Sequence, residues 1–210
     1  MIHVESRFQQ YWEITASDLD LDQAQSKALF QLLVQAYTES QRFYHTQQHI
    51  VDCFELYQTV ESKLHDPLAV AVAIWFHDVV YDPKAKDNEL QSAILMQNLF
   101  VAFLDSITIE KIYSWILATQ KHQPSHDYDL NYLLDIDLAV LGSQPQRFAE
   151  YEQQIQMEYA WVNPAIYQTK RREVLSGFYQ MKPIYQTIDF QQRYEQQAKF
   201  NLNNAINCFY

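Results

Sequence analysis

Glycine is nearly missing from this sequence. Only Gly142 and Gly177 occur in 210 residues, and a multi-stranded sheet needs glycine-containing turns between its strands, so helices are favoured from the outset. Cysteine is as scarce. Cys53 and Cys208 are too few and too far apart for a disulfide framework or a CxxC metal site, and both read as ordinary thiols of a reducing compartment. Positive charge is short as well: 15 Lys and Arg stand against 26 Asp and Glu, a formal net charge of -11. That balance argues against a nucleic-acid polymer as the main partner, because such contacts depend on clustered cations that release counterions. The densest basic run, Lys170-Arg171-Arg172, reads as a solvated helix face. No stretch reaches about 18 uninterrupted apolar residues, and the opening MIHVESRFQQYWEI lacks the basic start and apolar run of a secretory leader. The expected setting is therefore cytoplasmic, with no membrane partner.

What is present suits a globular helical chain. Apolar residues make up 48% and aromatics 15% of the sequence, ample material for a core. The length falls within the roughly 50–250 residues of a single domain, and no repeat, low-complexity tract or Gly/Ser linker marks a boundary. One all-α domain over residues 1–210 is the expectation. Leu29, Leu32, Leu33 and Ala36 follow the i, i+3, i+4, i+7 spacing of a buried helical stripe, and Ile50, Cys53, Phe54, Tyr57, Val60 and Leu64 repeat it. Asp66-Pro67 and Asn163-Pro164 each place a capping side chain before proline at a helix start. Asp87 is positioned to cap a helix from Asn88 to about Val101, and Thr108 one that ends near Lys121. Gly142 follows a run from Asp129 to Leu141. Tyr81 to Lys86 and His122 to Tyr128 are polar, proline-containing loops.

Several ionisable residues stand out against this background. His45 and His49, in RFYHTQQHI, share a face if the segment is helical, although either alone reads as an ordinary structural histidine. His77-Asp78 closes the apolar run LAVAVAIWF. A carboxylate beside an imidazole at such a place needs compensation, and a divalent cation satisfies both; a solvated helix-end pair is the plainer reading. Asp135 and Asp137 interrupt YLLDIDLAVLG. Two helical steps separate them by about 200°, so one is expected to face the core, and Asp137 has Leu133, Leu134, Leu138 and Leu141 around it.

Read in order, these residues give His, His-Asp and Asp, and the sequence resembles the HD superfamily of metal-dependent phosphohydrolases. RFYHTQQHI, AIWFHDVVYDPKAKDNELQSA, LATQKH and LLDIDLAVLG, with EYAWV, VLSGFYQMKPIY and AKFNL further on, are similar to a bacterial branch of predicted enzymes of this type. Thr46 and Lys182 depart from the branch, where Asn and Arg are expected. The resemblance implies a compact HD-type helical bundle. It implies one divalent metal ion (Mn, Mg, Ni, Zn or Fe) held by His49, His77, Asp78 and Asp137, with His45 a catalytic neighbour and coordination positions left for water and substrate. It also implies that Glu89, in DNELQSA, handles protons; the macrodipole would equally favour an acid at that helix start. Asp82 and Asp87 read as turn or cap residues.

Arg42 is a candidate for binding a substrate phosphate through its planar fork of donors, with a surface salt bridge as the alternative. His122 is a candidate for a second metal or a substrate contact, while His126 is expected in solvent. The implied reaction is hydrolysis of a small soluble phosphate ester or anhydride, a nucleotide being the leading class, by a metal-bound water. Two other readings stand beside it: a di-iron oxygenase on the same fold, which requires His122 as a ligand, and a non-catalytic helical protein stapled by a metal, whose 15 tyrosines serve an interface. Homodimer formation is left open.

Overall fold

The computed structural model describes residues 4–207; Cys208 lies outside them. Every regular element among the described residues is helical, as the shortage of glycine predicts. The chain divides into two compact units, the first ending at Leu133 and the second beginning at Leu134. The division falls inside a helix rather than in a linker, which is why no shift in composition marks it.

In the first unit, α1 (Val4–Asp18), α2 (Gln23–Ala36), α3 (Gln47–Val60), α4 (Pro67–Phe76), α5 (Asn88–Phe100) and α6 (Ser106–Ala118) surround a core centred on α4. Residues Ala69 to Phe76 are all buried. A helix apolar on every side has to be covered on every side, so α4 takes the middle. Trp75 anchors it: Phe8, Trp12 and Phe54 pack on its indole at ring-centre distances of 4.9, 5.5 and 4.7 Å. The indole N–H donates to the Thr15 hydroxyl at 2.9 Å. Large buried side chains of this kind each contribute about 1.5–3 kcal/mol.

The stripes found in the sequence are largely realised. Leu29 and Leu33 are buried on α2, and Ile50 through Val60 on α3. Leu64 is also buried but lies beyond α3, after a 3-10 turn at Glu61–Lys63. Asp66 caps α4 by accepting the Ala69 N–H, with Pro67 at the first helical position, a cap worth about 1 kcal/mol. On α6 the capping residue is Asp105, which accepts the Ile107 and Thr108 N–H groups. Thr108, expected as the cap, instead donates its hydroxyl to Asp105 at 2.7 Å. Asp87 stands at the α5 N-cap position without a side-chain capping bond and accepts from the Gln91 amide.

Helix α7 (Tyr128–Leu138) carries the chain across the division. At its start the Asp129 carboxylate accepts the backbone N–H groups of His65 and Asp66 at 3.0 and 2.7 Å, pinning it to the junction before α4. The second unit continues through a 3-10 turn (Ala139–Gly142), α8 (Pro145–Glu158) and α9 (Pro164–Gln180). A single turn, α10 (Ile188–Phe190), then leads through a π-helical stretch (Gln191–Glu195) into α11 (Gln196–Asn207).

The basic run on α9 departs from a solvated face. Lys170 is exposed and paired with Glu173. Arg171 is buried, donates to Glu152 on α8 at 2.5 Å and covers the Tyr151 ring. The acids of α7 also differ from expectation. Asp135 is buried at 1% exposure, whereas Asp137 is half-buried. Asp135 is held inside by the backbone N–H groups of Gln186 and Thr187 and by the Thr187 hydroxyl, which donate to its carboxylate.

Candidate metal centre

The first unit brings His49, His77 and Asp78 together. His49 lies in the first turn of α3, His77 is the C-cap of α4 and Asp78 follows it. The Nε2 atoms of His49 and His77 are 3.1 Å apart, His77 Nε2 is 3.1 Å from Asp78 Oδ2, and His49 Nε2 is 3.6 Å from the same oxygen. Both imidazoles are at 1–2% exposure. Asp78 retains a side-chain exposure of 16%, so this group has one side open to solvent.

Local backbone chemistry explains the orientation of His77. The last carbonyls of a helix have no partner inside it. At the end of α4 the Ile74 carbonyl is met by His77 Nδ1 at 2.9 Å. Nδ1 therefore donates to that carbonyl, which fixes the ring with Nε2 toward His49 and Asp78. The Tyr37 hydroxyl donates to the Trp75 carbonyl at 2.8 Å. Burial, and then the charge of Asp78, hold that hydroxyl protonated well above the ordinary tyrosine range.

The donor set and its spacing fit a divalent ion. Imidazole nitrogens and carboxylate oxygens about 2.0–2.2 Å from one ion stand roughly 2.8–3.6 Å from each other at tetrahedral or octahedral angles, and the three separations here span 3.1–3.6 Å. Two imidazoles and a carboxylate suit a transition ion better than calcium. The group can hold such a metal. The fourth residue singled out in the sequence, Asp137, stands in the second unit, where its charge is among the influences that raise the Tyr151 hydroxyl after burial, the largest.

His45 is not on the helix. The α3 helix begins at Gln47 with Thr46 as its cap, so the shared-face argument for His45 and His49 does not apply. The irregular segment nonetheless brings the two rings to 6.1 Å, with His45 Nε2 4.0 Å from Asp78 Oδ2. Tyr44 flanks both imidazoles, and Tyr81 packs on His45 at 4.3 Å. Glu89 is half-buried in the first turn of α5 and accepts the Gln120 amide at 3.0 Å.

Arg42 does not present its fork to solvent. Its side chain is fully buried and Nε pairs with Glu39, the ion pair of the alternative reading; Nη1 and Nη2 are engaged by backbone carbonyls of His45, Asp78 and Val79. A free phosphate-binding fork is therefore not what the structure offers. His122 is half-buried just past α6, at φ 49°, and among the described residues it is outside the metal-binding group. His126 is exposed, as expected.

Sequence reasoning passed over Tyr37, Gln41 and Ser92. Ser92 accepts the Val80 N–H at 3.0 Å, and Gln41 donates to the Tyr81 carbonyl at 3.1 Å. The signal for Ser92 was legible: a small polar residue sits on the buried α5 stripe with Ala93, Met96 and Phe100. Comparison with protein-family models, with curated proteins and with solved structures gave no match. No described helix is long and apolar enough to cross a membrane.

Proposed function

We propose that this protein is a metal-dependent phosphohydrolase acting on a small soluble phosphate ester or anhydride, with nucleotides as the leading class. The observation that carries the reading is the convergence of two buried Nε2 atoms and one carboxylate oxygen within 3.1–3.6 Å, open on the Asp78 side. His49, His77 and Asp78 hold one divalent ion, and Asp137 is the fourth ligand by resemblance to HD phosphohydrolases. When bound, such an ion lowers the pKa of water toward about 7 and neutralises phosphate charge.

The rest of the chemistry falls to side chains. His45, within 4.0 Å of Asp78, orients and exchanges protons with the substrate at the open side. Glu89 supplies the proton that the leaving oxygen needs; its amide partner Gln120 fixes the carboxylate's direction. The net charge of -11 favours a small substrate over a polymeric polyanion.

The test is a turnover screen of nucleotides and generic phosphate esters with Mn, Mg, Ni, Zn and Fe supplied in turn, on the wild type, His45→Ala and Glu89→Gln. Activity is expected with at least one metal. Glu89→Gln should keep metal and lose about 100- to 10,000-fold in rate, the usual worth of general acid-base assistance, and His45→Ala should keep metal and lose turnover. Metal-replete protein with no hydrolysis across the screen would overturn the reading.

A further inference from the structure

We propose that Arg42 is a positioning residue of the metal centre, locking the backbone that precedes α3 to the backbone that follows α4. The inference rests on the metal reading above and deepens it.

Two segments distant in sequence are joined by one guanidinium. Nη1 donates to the His45 carbonyl at 3.1 Å and to the Asp78 carbonyl at 2.7 Å, while Nη2 donates to the Val79 carbonyl at 2.9 Å. Nε donates to Glu39 Oε2 at 3.0 Å, which balances the charge. The rings of Tyr37 and Tyr81 lie 5.1 and 5.3 Å from the guanidinium carbon. A cation with a fully buried side chain is tolerable only with its donors satisfied, and here three of its acceptors are backbone oxygens of residues in or beside the ligand group.

The geometry requires arginine. A planar fork reaches carbonyls on two chain segments at fixed angles, whereas lysine offers a single point charge on a flexible stem. Asp78 receives the tightest of these bonds on its own carbonyl, so the guanidinium fixes the main chain from which the Oδ2 ligand atom projects. His45 is fixed the same way. The neighbouring bonds from Gln41 to the Tyr81 carbonyl and from Ser92 to the Val80 carbonyl extend the clamp along the segment, but neither joins it to the His45 side.

The test is titration of the metal-stripped full-length protein with Co2+, whose visible absorption reports coordination geometry, against a competing chelator. Arg42→Lys retains a cation for Glu39 and leaves every ligand in place. It should bind Co2+ about 10- to 100-fold more weakly, the usual effect of removing an outer partner of a metal site, with an altered absorption band. Leu175→Ala, a core truncation on α9, controls for lowered stability and should bind as wild type. Wild-type affinity and spectrum in Arg42→Lys would overturn the proposal, as would an equal weakening in both variants.

Should Arg42→Lys not fold, nitrogen-15 NMR of the wild type decides. The Arg42 guanidinium protons are expected to be resolved, protected from solvent exchange and shifted by Zn2+; exchange as fast as that of exposed arginines would overturn the proposal. Wild type that binds no Co2+, or His77→Ala that binds it equally well, would remove the metal reading and this inference with it. Binding through His77 with Arg42→Lys unchanged would remove the inference alone.

Discussion

The segment 78–81 in the first unit and the segment 184–187 in the second both run largely buried without helical bonding of their own, and the side chains that satisfy them differ: a buried cation with neutral groups in the first, two carboxylates with a glutamine amide in the second. In 78–81 the carbonyls are met by Arg42 on Asp78 and Val79, Ser92 on Val80 and Gln41 on Tyr81, and the Ser92 hydroxyl also accepts the Val80 N–H. In 184–187 the N–H groups are met by carboxylates, while the Gln191 amide donates to the Tyr185 and Gln186 carbonyls. Glu195 accepts from Ile184 and Tyr185, and Asp135 accepts the N–H groups of Gln186 and Thr187 and the Thr187 hydroxyl, each at 2.7 Å. The comparison separates two kinds of buried acid. Asp135 has donors on both oxygens and is structural. The Asp78 carboxylate faces imidazole nitrogens while its own backbone is held by Arg42, which leaves an oxygen directed at other ligand atoms.

Substitution of the two aspartates should pull stability and metal binding apart. Asp135→Ala strips the acceptor from two buried N–H groups and a hydroxyl, each worth about 1–3 kcal/mol when left unmet. A total loss of about 3–5 kcal/mol is expected in urea unfolding, with the metal affinity of the folded fraction near wild type. Burial raises the Asp135 carboxyl to about 6, and the three donors pull the other way. Asp78→Ala in metal-free protein should change stability by less than about 1 kcal/mol, in the range of a partly solvated ion pair, while abolishing stabilisation by added metal. Reversal of these two outcomes would break the distinction between the loops.

A smaller effect tests the second loop's surroundings. A Cβ on Gly142 would lie 2.7 Å from the Tyr194 Cβ and carbonyl oxygen and 2.9 Å from the Tyr185 hydroxyl. Gly142→Ala should cost about 1–3 kcal/mol through overpacking, measurable as a shift in the unfolding midpoint at unchanged m-value. A neutral result would show that the 184–194 segment yields easily.

The helical class, the caps at Asp66 and Asn163, and the apolar stripes were legible in the sequence because they depend on neighbours within one turn. His77 and Asp78 were legible for the same reason: a polar pair closing an all-apolar helix is locally conspicuous. The deep burial of Asp135 was not, since it depends on donors about 50 positions away. Arg42 and Arg171 misled in the same manner. Each looks like a surface cation by local context, and each is buried by partners that only the fold supplies, the 78–79 carbonyls for one and Glu152 with Tyr151 for the other.

The central claim is that His49, His77 and Asp78 form a metal centre, and metal analysis of the purified protein beside His77→Ala tests it most directly. Wild type should carry one divalent transition ion per chain and gain about 2.7 kcal/mol of stability at a free metal concentration roughly 100 times the dissociation constant. His77→Ala should carry none and gain nothing. Equal metal content in the two proteins, or none in either after metal is supplied, would contradict the account.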